Sequence, residues 1–362
     1  MSTYGKNIII NLFGESHGSA IGITINNLPA GIEIDLNDIT FELSKRRPKS
    51  NLSTPRQEKD EFEFISGYFK GKTTGSPLTL ILRNADTRSR DYTPEILRPS
   101  HADYTSSVKY EGHHDYRGSG HFSGRITAPL MILGSISKQI LAKNGITIAS
   151  HIASIKDIKD TLFTENTLQK EVLSRLLLSD FPLLNELQEE PMKTTILNAK
   201  ENKDSVGGVI ETAILGISPG YGEPFFDSIE STLSHLIFSI PAVKGLSFGK
   251  GFEITTLFGS EANDSFILDN GLIKTKTNNS GGIQGGISNG MPITFSTAIK
   301  PTASIGKKQN TVNIQSMQEE VLELKGRHDP AIVHRVIHVI NAITNYAILE
   351  VITRKEGTSW IK

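Results

Sequence analysis

The chain has no cysteine and a single tryptophan in 362 residues. Without thiols there is no disulfide scaffold, no thiolate nucleophile and no Cys-ligated zinc or iron–sulfur centre, and the composition fits a reducing compartment. Excess charge of either sign is missing as well. The 38 basic residues nearly balance 39 acidic ones, which argues against a nucleic acid as partner but leaves room for a local anion site. Long apolar runs are also scarce. The opening MSTYGKNIIINLFGESHG holds only a short apolar run, too short and wrongly flanked for a secretory leader, and no stretch approaches the ~18 apolar residues of a membrane span. A cytoplasmic protein is expected, with no membrane partner. Neither GxGxxG after a strand nor GxxxxGK[ST] occurs, so standard dinucleotide and P-loop folds are unsupported.

What the chain does have is a concentration of chemistry in residues 98–125, RPSHADYTSSVKYEGHHDYRGSGHFSGR. Four of its ten histidines (His101, His113, His114, His121) lie there, with Arg98, Arg117 and Arg125. Such a mixture makes a poor core and a good site, because it offers charge, proton transfer and close backbone approach at its glycines. Ordered loops this long are usually functional.

Around it, the patterning predicts mixed helix and strand. Short strands are expected at 7–13 and 20–26, flanking the turn-like GESHG, and at 61–69, 77–83, 146–152, 206–217 and 293–298. Helices are expected at 35–47, capped by Asp35 or Asn37 and stopped by Pro48, and at 126–144, 227–238 and 331–351. Asp227 with Glu230 reads as a capping box. Residues 156–204 read as short surface helices, and 278–290, NNSGGIQGGISNG, as a second glycine-rich loop. Gly124-Arg125 and Gly326-Arg327 each precede a helix begun by proline, an echo that raises the hypothesis of a twofold duplication.

Arginines ahead of helix N-termini suit an anion clamp, since unpaired N–H groups and the helix dipole favour negative charge there. Arg125 and Arg327 fit that role, although a single such arginine more often pairs locally. His17 and His101 are candidates for proton transfer, because imidazole titrates near neutral pH. His328, His334 and His338 raise a metal reading, but no HExxH carboxylate accompanies them. Asp329 reads first as a carboxylate at a helix start.

Together the motifs GESHG (14–18), KRRP (45–48), RPSHADYTSSVKY (98–110), DYRGSG (115–120), SVGG (205–208), AVKGLSFGKGFE (242–253), NNSGGIQGGISNG (278–290), KPTASI (300–305) and GRHDP (326–330) resemble the chorismate synthase family, in the family's order and over nearly the whole chain. The resemblance implies one domain over residues 1–362 with an α+β fold, helices sandwiched between two antiparallel β-sheets, and a homotetramer. It implies elimination of phosphate from 5-enolpyruvylshikimate 3-phosphate to give chorismate, with reduced FMN required but not consumed and NADPH as a candidate reductant. Carried over by position, His17, His101, Asp329, Ser16 and Ser123 match catalytic residues. Arg46, Arg117, Arg125 and Arg327 match arginines facing substrate, phosphate or flavin. His121, Phe122, Ser123, Ala242, Gly285, the run Lys300, Pro301, Thr302, Ala303 and Ser304, and Arg327 match cofactor contacts, and no metal is implied. The chain departs from the common pattern at His121 and Phe122, and at Leu52, where many relatives carry a second arginine. That last departure weakens an NADPH site. His113 and His114 read as bystanders. A metal-dependent hydrolase or isomerase built on the histidine-rich loop is the competing reading.

Overall fold

Alternating apolar side chains build the sheets. In Ile293–Ile299 every second residue is buried along the whole strand, and Leu78–Arg83 repeats the pattern, as an antiparallel strand does when one face meets the core. The computed structural model describes residues 2–47, 52–53, 60–84, 94–324 and 329–362. Within these, two five-stranded sheets form. The first runs in spatial order Thr3–Tyr4, Ile10–Gly14, Ala20–Ile25, Leu78–Arg83, Phe62–Ser66, and the second Val243–Phe248, Ile293–Ile299, Gly208–Leu215, Thr147–Ile155, Ile158–Lys159. Neighbours in both sheets pair antiparallel. The fold is α+β.

Two helices carry the centre. Ala128–Lys143 packs on Val333–Glu356; the former also touches the first sheet at Ala20–Ile25 and Leu78–Arg83, the latter the second at Thr147–Ile155 and Gly208–Leu215. They can approach closely because position 134 is glycine: a Cβ there would lie 2.3 Å from Ala342 Cα. Against the expectation from composition, Val333–Glu356 is long and apolar enough to cross a membrane, but 89% of its apolar window is buried inside the protein. A helix buried on most of its surface, largely apolar, is what a central position in a large core requires. Glu350, fully buried on it, accepts backbone N–H groups of Lys6 (2.6 Å), Asn7 (3.1 Å) and Ile8 (2.8 Å), and the Arg354 Nε–H at 3.1 Å.

Several expected elements shift. Asp35 caps Leu36–Lys45 as foreseen, accepting from Asn37 N–H at 2.8 Å. Ser228, not Asp227, caps Ile229–Ile237, because Asp227 is drawn to Lys6 and Arg354. The strand expected at 61–69 breaks at Gly67 (φ +79), and Tyr68–Phe69 pairs instead with Lys72–Thr73. The polar run 98–125 contains a short helix, Asp103–Lys109. Two exposed hairpins, Phe266–Asp269 with Leu272–Thr275 and Gln309–Asn313 with Gln318–Leu322, were not expected.

Candidate functional site

A cleft of about 1440 Å³ gathers residues from distant parts of the chain: His17, His101, Asp103, Ser119, His121, Phe122, Ser123, Ala242, Lys300 to Ser304 and Asp329 all line it. The turn after Ile10–Gly14 delivers Ser16 and His17, both buried. Over them folds the GSG of residues 118–120, whose three residues all have positive φ (+59, +70, +52). Gly118 is required by proximity: a Cβ would stand 2.0 Å from His17 Nδ1. Gly120 accepts the Ser16 N–H at 3.1 Å. Ser16 Oγ itself is buried without a hydrogen-bond partner among the described residues.

His101 is held on two sides. Its Nδ1 lies 3.0 Å from Asp103 Oδ1 and its Nε2 3.3 Å from Ser119 Oγ. Arg98 grips Asp103 with Nε at 2.8 Å and Nη2 at 2.6 Å. Burial alone would raise the Asp103 carboxyl, but His101 and Arg98 hold it well below the usual carboxylate range, so it is ionised throughout the neutral range. His121 has both ring nitrogens engaged, Nδ1 with the Gly14 carbonyl at 2.9 Å and Nε2 with Ser2 Oγ at 2.9 Å. It therefore ties the residue-2 segment to the end of Ile10–Gly14. Phe122 is partly exposed, its ring 6.3 Å from that of Tyr110. Ser123 caps the following turn, accepting the Arg125 N–H at 3.3 Å.

The Lys300–Ser304 run forms a further part of the wall, with Lys300 Nζ donating to the Ser100 carbonyl at 2.8 Å. Lys300 N–H donates to the Ala242 carbonyl at 2.9 Å, and Ala242 holds φ +75, a left-handed conformation uncommon for a residue with a Cβ and a strain typical of ligand-contacting backbone. Thr302 Oγ1 donates to the Asp329 carbonyl at 2.6 Å, while the Asp329 carboxylate pairs with Arg335 at 2.9 Å.

Three of the four predicted arginines are off the cleft wall. Arg46, Arg117 and Arg125 do not line the cleft. Arg46 and Arg125 both bind Asp60, a buried carboxylate that no sequence motif singles out, and Arg47 lies 3.7 Å from it. Burial, only partly offset by Asp60, draws Arg46 down to about 10. Among the described residues, three guanidinium groups face this one carboxylate. Arg117 is half-exposed and held by Asp115 at 2.8 Å, which raises it. Gly285 lies in the turn between Ile283–Gln284 and Ile287–Ser288, away from the cleft. Arg327 and His328 fall outside the described residues. His114, read as a bystander, is on the cleft wall. His334 Nε2 meets Ser53 Oγ at 2.7 Å. Among the described residues no three of His, Asp and Glu converge as a metal site, so the metal-dependent reading is not favoured.

A cleft that combines imidazoles with serine, lysine and carboxylate groups, set in an α+β scaffold, defines an enzyme for a small molecule. The comparisons make this particular. The family model described as chorismate synthase matches residues 8–353. The chain is 40% identical over 362 residues to a chorismate synthase of Lancefieldella parvula, covering 96% of this chain and 95% of that one. To the chorismate synthase of Methanococcus vannielii it is 41% identical over 361 residues, covering 97% and 96%. A solved chorismate synthase structure superposes with a TM-score of 0.76 at 27% identity, covering 98% of this chain and 94% of that one. The chain belongs to the chorismate synthase family, whose members are lyases that make chorismate in the shikimate pathway.

Proposed function

We propose that the chain converts 5-enolpyruvylshikimate 3-phosphate to chorismate and phosphate in this cleft, with reduced FMN bound beside the substrate. The observation that carries this reading is that His17, His101, Asp329 and the Lys300–Ser304 run, far apart in sequence, line one cleft. The residues present suit a flavin. At about 1440 Å³ the space exceeds the ~300–1,000 Å³ of an ordinary ligand pocket, which leaves room for cofactor and substrate together. Its walls join apolar Leu12, Ile126, Leu130 and Ile343 to the polar Lys300, Thr302 and Ser304, as a flat ring with a polar edge and phosphate tail needs. Ser123, His121, Phe122, Ala242 and Lys300 to Ser304 would hold it, with Gly285 and Arg327 as further contacts from the resemblance. When bound, reduced FMN supplies electron density to the ring carbons as phosphate departs.

The chain's own groups account for the rest. His17 and His101 hold and move protons near the substrate and the flavin ring, and Asp329, oriented by Arg335, faces the cofactor. Arg46, Arg117, Arg125 and Arg327 form the anion-binding set by the resemblance alone, since the three described ones do not line the cleft. Charge-assisted hydrogen bonds to a departing phosphate contribute roughly 1.5–3 kcal/mol each where water is excluded.

The same reading takes the layers as helices sandwiched between the sheets, one domain with one core reaching both sheets, related by an internal twofold, in a cytoplasmic homotetramer. Anaerobic assay of the purified chain with 5-enolpyruvylshikimate 3-phosphate and pre-reduced FMN should give chorismate; none formed overturns the reading. Replacing the reduced flavin with FMN plus NADPH determines whether the chain reduces its own cofactor.

A further inference from the structure

The direction of each hydrogen bond around His101 follows from Arg98. A guanidinium only donates, and an ionised carboxylate only accepts. Arg98 Nη2 has two hydrogens; one reaches Asp103 Oδ1 at 2.6 Å and the other Ser119 Oγ at 3.2 Å. The second hydrogen lies equally near His101 Nδ1, at 3.2 Å, but an unprotonated Nδ1 would set its lone pair against the ionised Asp103 Oδ1 at 3.0 Å. Nδ1 therefore carries its own hydrogen toward Asp103 Oδ1 at 3.0 Å. Ser119 Oγ, already accepting from Arg98, turns its hydrogen to His101 Nε2 at 3.3 Å. Ser119 cannot easily swing away, since it sits at φ +70 between two glycines of positive φ, a conformation that only its surroundings maintain.

We infer that Asp103 is a positioning residue which, with Arg98 and Ser119, fixes His101 in its Nδ1–H tautomer and leaves Nε2 as the nitrogen that takes up and returns a proton on the cleft side. The inference rests on the reading in which His101 handles a proton. The balance is simple. A proton reaching Nε2, directly or by relay through the Ser119 hydroxyl, makes an imidazolium facing the Asp103 carboxylate; its departure restores the same tautomer, and Ser119 ends as it began.

Nitrogen-15 NMR of labelled histidine, on the whole chain loaded with FMN, reads the tautomer without any turnover. His101 in the Nδ1–H form is expected, and the Nε2–H form overturns the inference even in an active enzyme. Asp103→Asn should lower kcat about 10- to 100-fold, the usual cost of losing a partner that orients a working imidazole, with KM within about twofold and Asp103→Glu recovering most of the rate. A raised KM with kcat unchanged overturns it. Should Asp103→Asn fail to fold, Ser119→Ala decides: kcat several-fold lower with the Nδ1–H form kept supports the arrangement, and an unchanged kcat removes it. A wild-type chain that makes no chorismate sinks the proposed reaction, while the NMR result still decides the tautomer.

Discussion

Two buried histidines outside the cleft titrate in opposite senses. His334 is held down to about 4, by burial first and then by Arg335, against an ordinary value of 6.5. Between those values the unfolded chain binds a proton that the folded chain refuses, so stability present above pH 6.5 is lost as pH falls toward 4. At about 1.4 kcal/mol per pH unit the loss is about 3 kcal/mol. Denaturant titrations at pH 7 and pH 4 should therefore show His334→Asn losing less stability than the parent over that interval; parallel losses would dissociate His334 from the acid sensitivity. His151 behaves the other way. It lies between Asp160 (3.2 Å) and Glu211 (2.8 Å), which raise it despite burial, so its contribution is full below 6.5 and fades as pH climbs through the raised value. At this scale the sequence exposed the site only partly. His17 and His101 stood out because loop imidazoles suit proton transfer, and both line the cleft. Asp103, two residues from His101, could have been noticed as an orienting carboxylate. Asp60 could not, because its partners Arg46 and Arg125 reach it only through the fold.

The packed pair of central helices depends on one missing side chain. Gly134 faces the Ala342 backbone, and any Cβ must push the helices apart. Overpacking a tight core commonly costs about 1–3 kcal/mol, so Gly134→Ala should lower the denaturation midpoint by about that free energy, and Gly134→Leu by more. An unchanged midpoint for both would mean that the interface has slack. The helices themselves were legible from period and punctuation: Pro129 near the start and Gly145 (φ +76) after the end bracket Ala128–Lys143. The misplaced cap at Asp227 has a different origin. Asp and Ser cap equally well on local grounds, and the choice fell to Lys6 and Arg354, which no local rule contains. Likewise Gly67 looked like an ordinary strand residue until its neighbour strand fixed the bend.

At the scale of the whole molecule, exposed apolar side chains among the described residues gather on one hairpin. The hairpin Phe266–Asp269 and Leu272–Thr275 exposes Phe266, Leu268, Leu272 and Ile273, and Phe252 and Phe258 just before it are also exposed. A two-stranded hairpin is marginal by itself, and patches of this kind mark contacts between proteins. This supports the proposed homotetramer. Charging the cross-strand pair, Leu268→Glu with Ile273→Glu, should shift the mass measured by light scattering to smaller species while the circular dichroism spectrum persists; a retained tetramer would place the contact elsewhere. Layer architecture at this scale came from the family resemblance, because alternation in a strand states that one face is buried but not against what.

The Glu350 carboxylate binds the backbone of residues 6 to 8 across 342 to 344 positions of sequence. At a synthesis rate of roughly 5–20 residues per second, this segment between the first two strands waits about 20–70 seconds for the side chain that anchors it. Until then those N–H groups lack the acceptor that holds them, so docking of the N-terminal segment is expected among the last steps of folding.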